Sequence, residues 1–355
     1  MPFPRTYVDA LLINWGDRLF PEPFRHVGAQ HLPHAFARAS ATDLRERLKL
    51  TLRGAPEVIV KITNKGKGGQ GFGAVRRHLN YISRNGCVEL EDQDGHLIAG
   101  RAALDSLIET WYLGGWGIAD EGRLRQTLNM VLSMPEGTDR QGVRNAAREF
   151  ARQTFGDGRP YVFVQHDDEA HPHVHLCVHM RGPDGRRLNP RRQDLERWRD
   201  AFAHELRAQG IDANSTRRVV RGQTRRATKQ AVTHMLLRGA WAANRSTTPD
   251  HDNRLTMWHA HIGTLTVWRE IAQALANSEA REDRVMALKT VEFVRNMPVC
   301  ELSPEVRPQD VPRTDLVLRE RLRSPDRQRV GELPKRRSDS DFQPYRTDSS
   351  PDIER

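Results

Sequence analysis

The segment His166-Asp167-Asp168-Glu169-Ala170-His171-Pro172-His173-Val174-His175 holds the residues best suited to chemistry. In an extended chain, side chains two apart share a face. His173 and His175 therefore point one way, and Val174, Leu176, Val178 and Met180 point to an apolar face. His166 closes the preceding strand, and antiparallel pairing can bring it within about 5 Å of the other two. Three neutral imidazoles converging on an open position form a metal-binding set. The bland alternative is a His-rich surface loop or a group of satisfied core histidines. Imidazole ligands suit Mn²⁺, Zn²⁺, Co²⁺ or Ni²⁺, whereas Mg²⁺ prefers oxygen. The expected cofactor is a divalent ion, Mn, Mg or Zn. Cys177 and His179 share the histidine face but read as cleft or core residues. A second pair, His259 and His261, lies in helical spacing and reads as structural.

The second group is Arg76-Arg77-His78-Leu79-Asn80-Tyr81-Ile82-Ser83-Arg84-Asn85-Gly86. Leu79 and Ile82 fit the buried stripe of a helix, and Tyr81 lies off it. Arg76, Arg77, His78 and Arg84 surround that tyrosine with a positive field that attracts phosphate. Taken alone, this is also the pattern of an ordinary amphipathic helix with an interfacial tyrosine. The stretch 217–229 carries six basic residues and no acid. Arg217 and Arg218 within it can track a nucleic-acid backbone or belong to a solvated linker. The glycine-rich loop 65–71 lacks the GxxxxGK[ST] spacing of a nucleotide cradle, and no Walker motif occurs, which argues against a fused helicase.

Strands are expected over 57–63, 127–134, 161–165 and 173–180, and helices over 41–52, 74–84, 101–113, 142–154 and from Asn189-Pro190 to about Gln209. The link between the strands at 161–180 is too short for a crossover helix, so that pair must be antiparallel. The fold class is α+β: a central antiparallel β-sheet with helices packed on its faces, then a mostly helical C-terminal region and a disordered tail. Residues 231–297 read as two helices separated by 246–253. Four regions follow: a partly helical N-terminal extension (1–55), a domain that holds the sheet (56–215), a basic linker and helical region (216–300) and a Pro-rich tail (301–355).

The chain has 355 residues and a formal net charge of +10, which suits a polyanionic partner. No run approaches the ~18 apolar residues of a membrane span, and MPFPRTYVDALLINWGDRLF has no secretory pattern. The three cysteines are far apart in sequence, so a disulfide framework is not expected and a cytoplasmic location is.

HLNYISRNG, LNMVLSMPEGTD, HDDEAHPHVHLCVHM and GRRLNPRRQDLERWRDAFAHELRAQGI together resemble the plasmid mobilisation relaxases. These form the single-tyrosine branch of the HUH endonucleases that includes the T-DNA border endonuclease. The resemblance covers roughly 57–212. It implies Tyr81 as nucleophile, His166, His173 and His175 as metal ligands, and Asp168 as the carboxylate orienting a histidine. Ser133 would lie near bound DNA, with Arg76, Arg77, Arg84, Arg217 and Arg218 on the strand. The implied activity is site- and strand-specific nicking at an origin of transfer, through a reversible 5′-phosphotyrosyl link. The implied partners are single-stranded or supercoiled DNA, relaxosome accessory proteins and a type IV secretion coupling protein, in a bacterial cytoplasm and with possible delivery alongside the DNA. Ala170 stands where an acid often precedes the HPH, which leaves the base for Tyr81 open. Alternatives within the superfamily are a rolling-circle replication initiator or a transposase. An initiator often carries two tyrosines one turn apart, and here Arg77 and Asn85 flank Tyr81 at that spacing. A non-catalytic accessory protein binding the origin, or an unrelated His-metal hydrolase, are the readings from other classes.

Overall fold

A computed structural model describes residues 2–20, 34–64, 71–114, 124–224 and 251–302. The loop residues 65–70, the basic residues Arg225, Arg226 and Lys229, and the tail from 303 onward lie outside the described residues. The elements run α1 (Arg5–Leu19), α2 (His34–Leu52), β1 (Ile59–Ile62), α3 (Gly71–Ile82), β2 (Leu90–Asp92), β3 (Leu97–Ile98), α4 (Gly100–Leu113), β4 (Thr127–Ser133), α5 (Arg140–Phe155), β5 (Tyr161–His166), β6 (His173–His179), α6 (Arg192–Ala208), α7 (His251–Ala276), α8 (Arg281–Arg295) and a 3₁₀ turn at Pro298–Leu302. Among the described residues, no helix is long and apolar enough to cross a membrane.

One six-stranded sheet has the order β1-β4-β6-β5-β2-β3, with every pair antiparallel. Strict alternation along the strands gives it two apolar faces. On one face, Val174, Leu176 and Val178 meet Leu128, Met130 and Leu132, and α5 and α6 cover them with Phe150, Phe155 and Phe202. On the other, Val162, Val164 and Cys177 lie under Val75, Leu79 and Ile82 of α3 and Leu104, Ile108 and Trp111 of α4. Helix α5 starts where the Asp139 carboxylate accepts the Gln141 and Gly142 amides, the usual way of satisfying the free first-turn donors.

The expected α+β sheet with helices on its faces is the fold found. The hairpin β2–β3 has no counterpart among the expected strands, because its pieces are only three and two residues long. Its Asp92 carboxylate accepts the Asp94 and His96 amides and closes the turn. Residues 231–250, with most of the break expected at 246–253, lie outside the described residues; 251–253 open α7, and the stretch after them is divided between α7 and α8. There Ser278 and Asp283 bond each other and the Ser278 hydroxyl accepts the Ala280 amide, which stops one helix and starts the next. Helices α1, α2, α7 and α8 share an apolar core built on Leu12, Leu48, Trp268 and Ile271. Buried Arg45 of α2 ties it together by pairing with Asp9 and Asp283.

Helix α3 ends in three successive left-handed residues, Arg84, Asn85 and Gly86, at φ 51°, 58° and 90°. A Cβ on Gly86 would stand 2.7 Å from the Gly100 carbonyl carbon and 2.8 Å from its oxygen, so backbone must move to admit one. We expect Gly86→Ala to lower stability by about 1–3 kcal/mol, read by urea denaturation. A midpoint equal to wild type would show that this approach is not rigid.

Candidate functional site

Helix α3 and strands β5 and β6 build the site. His166 and His173 are directly paired at the ends of their strands. Ring centroids lie 5.5 Å apart for His166–His173, 4.5 Å for His166–His175 and 5.3 Å for His173–His175. All three rings are buried, and one nitrogen from each falls within 4.8 Å of the others. The ring tautomers are fixed by backbone. His166 Nε2–H donates to the Ile82 carbonyl at 2.6 Å, and His173 Nδ1–H donates to the His171 carbonyl at 3.2 Å. A carbonyl can only accept, so the opposite nitrogen of each ring keeps its lone pair. Burial, with His166 and His173 beside it, pushes His175 down to about 3, and burial also lowers His173. These two rings are thus neutral donors near neutral pH. Buried, oriented and with lone pairs converging, the set fits a divalent ion.

Tyr81 stands beside this cluster. Its ring meets His175 edge-on at 6.0 Å between centroids and is 57% exposed, while Leu79 and Ile82 on the same helix are fully buried. The Arg84 guanidinium lies 5.7 Å from the Tyr81 ring centroid. Arg77, Asn80, Tyr81, Arg84, Asn85 and Arg101 line an open recess of about 410 Å³.

The structure therefore brings His166, His173, His175, Tyr81, Arg77 and Arg84 together. Ser133 is buried on β4 in register with His173. Arg76 packs over Phe72, 5.5 Å from its centroid. Asp168 pairs with Arg84, so the carboxylate expected to orient a histidine instead holds a guanidinium, and backbone carbonyls orient the rings. Arg217 and Arg218 line a separate groove of about 930 Å³ along β1, where Arg217 pairs with Glu196 at 2.5 Å. Cys177 is fully buried and donates to Asn129 Oδ1 at 3.4 Å, a core role. His261 donates to the Met257 carbonyl of its own helix at 2.8 Å.

Two residues are missing from the sequence reading. Arg101 enters the recess from α4 and donates to Asn80 Oδ1 at 2.9 Å. Arg140 at the start of α5 donates to Asp167 Oδ1 at 3.1 Å and to the Glu169 and Ala170 carbonyls at 2.5 and 3.2 Å, fixing the loop between β5 and β6. His78, one helical turn before Tyr81, is pushed down to about 4 by burial. On sequence alone His78 counts toward the positive field around Tyr81, whereas burial keeps this imidazole uncharged near neutral pH.

Residues 119–211 match the relaxase family described as MobA/VirD2-like, nuclease domain. Over these residues the chain is similar to a relaxase nuclease domain. It is similar to T-DNA border endonuclease VirD2 of Rhizobium radiobacter, at 30% identity over 184 residues, 47% of this chain and 43% of the relative. The VirD2 proteins of Agrobacterium fabrum (strain C58 / ATCC 33970) and Rhizobium rhizogenes match at 28% over 187 residues (48% of this chain, 42% of the relative) and 29% over 137 residues (35% and 31%). The chain spans less than half the length of the curated relatives it matches. The relaxase match includes the histidines of β5 and β6 and begins after Tyr81, whose place in the site comes from its geometry.

We expect His173→Ala and His175→Ala to bind Mn²⁺ or Zn²⁺ at least tenfold more weakly while keeping the wild-type circular dichroism spectrum. Calorimetric titration with metal checks this, and wild-type affinity in both would remove them as ligands. For the metal-free protein, an imidazole at about 3 when folded, against 6.5 as its ordinary value, must charge on unfolding as pH falls below 6.5. Its contribution to stability is full above 6.5 and is lost progressively down toward 3. The melting temperature should fall across that window, and less steeply in His175→Gln.

Proposed function

We propose that this chain nicks one strand of DNA by transesterification, with Tyr81 as nucleophile. The observation that carries the reading is the exposed Tyr81 ring set edge-on against His175, next to three buried imidazoles with converging lone pairs. The Tyr81 oxygen attacks phosphorus and loses its proton. The bond to the 3′-oxygen breaks, and that oxygen leaves as a 3′-hydroxyl. The 5′-phosphate stays on the tyrosine, so the exchange of one phosphodiester for another is reversible. A divalent ion held by His166, His173 and His175 would polarise the scissile phosphate and offset its developing charge. Arg84, with Asp168 holding it, and Arg77 and Arg101 in the same recess supply fixed positive charge to the phosphate beside Tyr81.

In this reading the strand is cut at an origin of transfer and the protein starts conjugative transfer or mobilisation. Accessory proteins would open the DNA, and a type IV secretion coupling protein would receive the covalent complex. Lys335-Arg336-Arg337 and residues 346–355 are the segments offered for that docking.

Incubation of a labelled single strand containing the cognate origin with Mn²⁺, followed by denaturing electrophoresis, tests the chemistry. Wild type should give a covalent adduct. Tyr81→Phe should reduce it by more than about 10³-fold with DNA affinity nearly unchanged, and a chelator should abolish it until Mn²⁺ is returned. An adduct from Tyr81→Phe would move the nucleophile elsewhere, with Tyr112 the next candidate. Truncation after Glu301 should leave nicking intact and sharply reduce transfer between cells. Normal transfer would exclude the tail as the docking segment.

A further inference from the structure

The end of the sheet remote from the histidines carries a second concentration of positive charge. Arg125 immediately precedes β4, Arg181 follows β6, and Arg187 returns on the next turn to bridge Arg181. Arg187 donates to the Arg125 carbonyl, and Arg125 to the Asn64 carbonyl at 3.4 Å. All three are half-buried, and Arg181 Nε is buried with no hydrogen-bond partner. Burial, with Arg181 and Arg125 beside it, holds the Arg187 guanidinium below its ordinary range. Neighbouring arginines have been given acids: Arg159 pairs with Asp157 at 2.5 Å, and Arg186 with Asp184 at 3.7 Å. Among the described residues, Arg125, Arg181 and Arg187 have no carboxylate partner. Half-buried like charges repel and are poorly solvated, so holding three together without an acid is unfavourable unless an anion joins them.

The position of this cluster relative to the histidines says which anion fits. Ile59, Ser133 and His173 are paired across β1, β4 and β6, as are Lys61, Val131 and His175, so each row lies on one face. That face is open along the edge strand β1, where Ile59 and Lys61 are exposed, while on β4 Val131 is half-buried and Thr127, Asn129 and Ser133 are buried. The open strip follows β1 from Ile59, in the row of Ser133 and His173, through Lys61 to Asn64, whose carbonyl accepts from Arg125. From Ile59 to Asn64 it is about 17 Å long at about 3.4 Å per residue. A nucleic-acid strand covers that length with about five stacked nucleotides at about 3.4 Å each. Its phosphates present the repeated negative charge that a guanidinium fork binds bidentately.

We propose that Arg125, Arg181 and Arg187 form a second backbone-phosphate site, gripping the DNA strand at the far end of the open face, about 20 Å from the histidine centre. DNA as the ligand rests on the function proposed above. The test measures binding apart from cleavage, in the Tyr81→Phe background that prevents covalent capture. The probe is a fluorescein-labelled dT strand of about 20 nucleotides, long enough to span both sites, followed by anisotropy across a salt series. Replacing all three arginines by glutamine should lower affinity about tenfold or more at low salt. It should also reduce the slope of log K against log salt by about 2, since each phosphate contact on a single strand contributes about 0.7. Replacing the same three by lysine, which keeps the charge, should restore the slope. A wild-type slope in the glutamine variant would overturn the proposal. So would a lysine variant as weak as the glutamine one, or loss of poly-glutamate binding without loss of dT binding. Failure of wild type to form an adduct with its cognate strand would strike the nicking reading and leave this binding result standing.

Discussion

The antiparallel register between β5 and β6 is the constraint on which the site depends. It sets His166 opposite His173 and leaves His175 two residues further on the same face. Side chains alternate with a period of two, so a slip by one residue would drive every histidine into the core under α5 and α6 and take Val174, Leu176 and Val178 out of it. Those three are fully buried, and each contributes about 1.5–3 kcal/mol on burial. The slip therefore costs several kcal/mol before any histidine is considered. The greasy face of β6 holds the polar face in place.

Electrostatics then differentiates the two ends of that polar face. At the histidine end, burial keeps His175 and His173 uncharged, and backbone carbonyls aim His166 and His173. Positive charge enters only at the rim, where Arg84 is held by Asp168 and Arg140 clamps the intervening loop. Glu91, buried on β2, meets Arg144 and Arg148 of α5 and ties the far edge of the sheet to the helix behind it. Removing that carboxylate would leave two arginines uncompensated, which is why such pairs are costly to break.

The four helices α1, α2, α7 and α8 form a core of their own from parts of the chain on both sides of the sheet. Trp268 is fully buried, and its indole N–H donates to the Val220 carbonyl at 2.8 Å, joining α7 to the segment that follows α6. Arg45 makes the corresponding polar link between α1, α2 and α8. The residues before β1 are thus structural partners of the C-terminal helices.

The sequence by itself determined the components that depend on local periodicity. Alternation along 173–180 separated the histidine face from the aliphatic face, and the short link to 161–165 required antiparallel pairing. The spacing of Leu79 and Ile82 placed Tyr81 off the buried stripe of its helix. These readings needed no partner from elsewhere in the chain. Contacts across long sequence separations were decided only in three dimensions. Asp168 is next to Arg84 because the end of α3 abuts the loop after β5, and nothing in HxDxxxPHxH states whether that carboxylate will find a histidine or an arginine. Arg101 and Arg140 join the site from helices whose own spacing marks them only as exposed. The same holds for Arg125, Arg181 and Arg187, which are 6 and more residues apart in the chain and meet because antiparallel pairing places the start of β4 beside the end of β6. Local spacing fixes which way a side chain faces, but tertiary packing fixes which charge it meets.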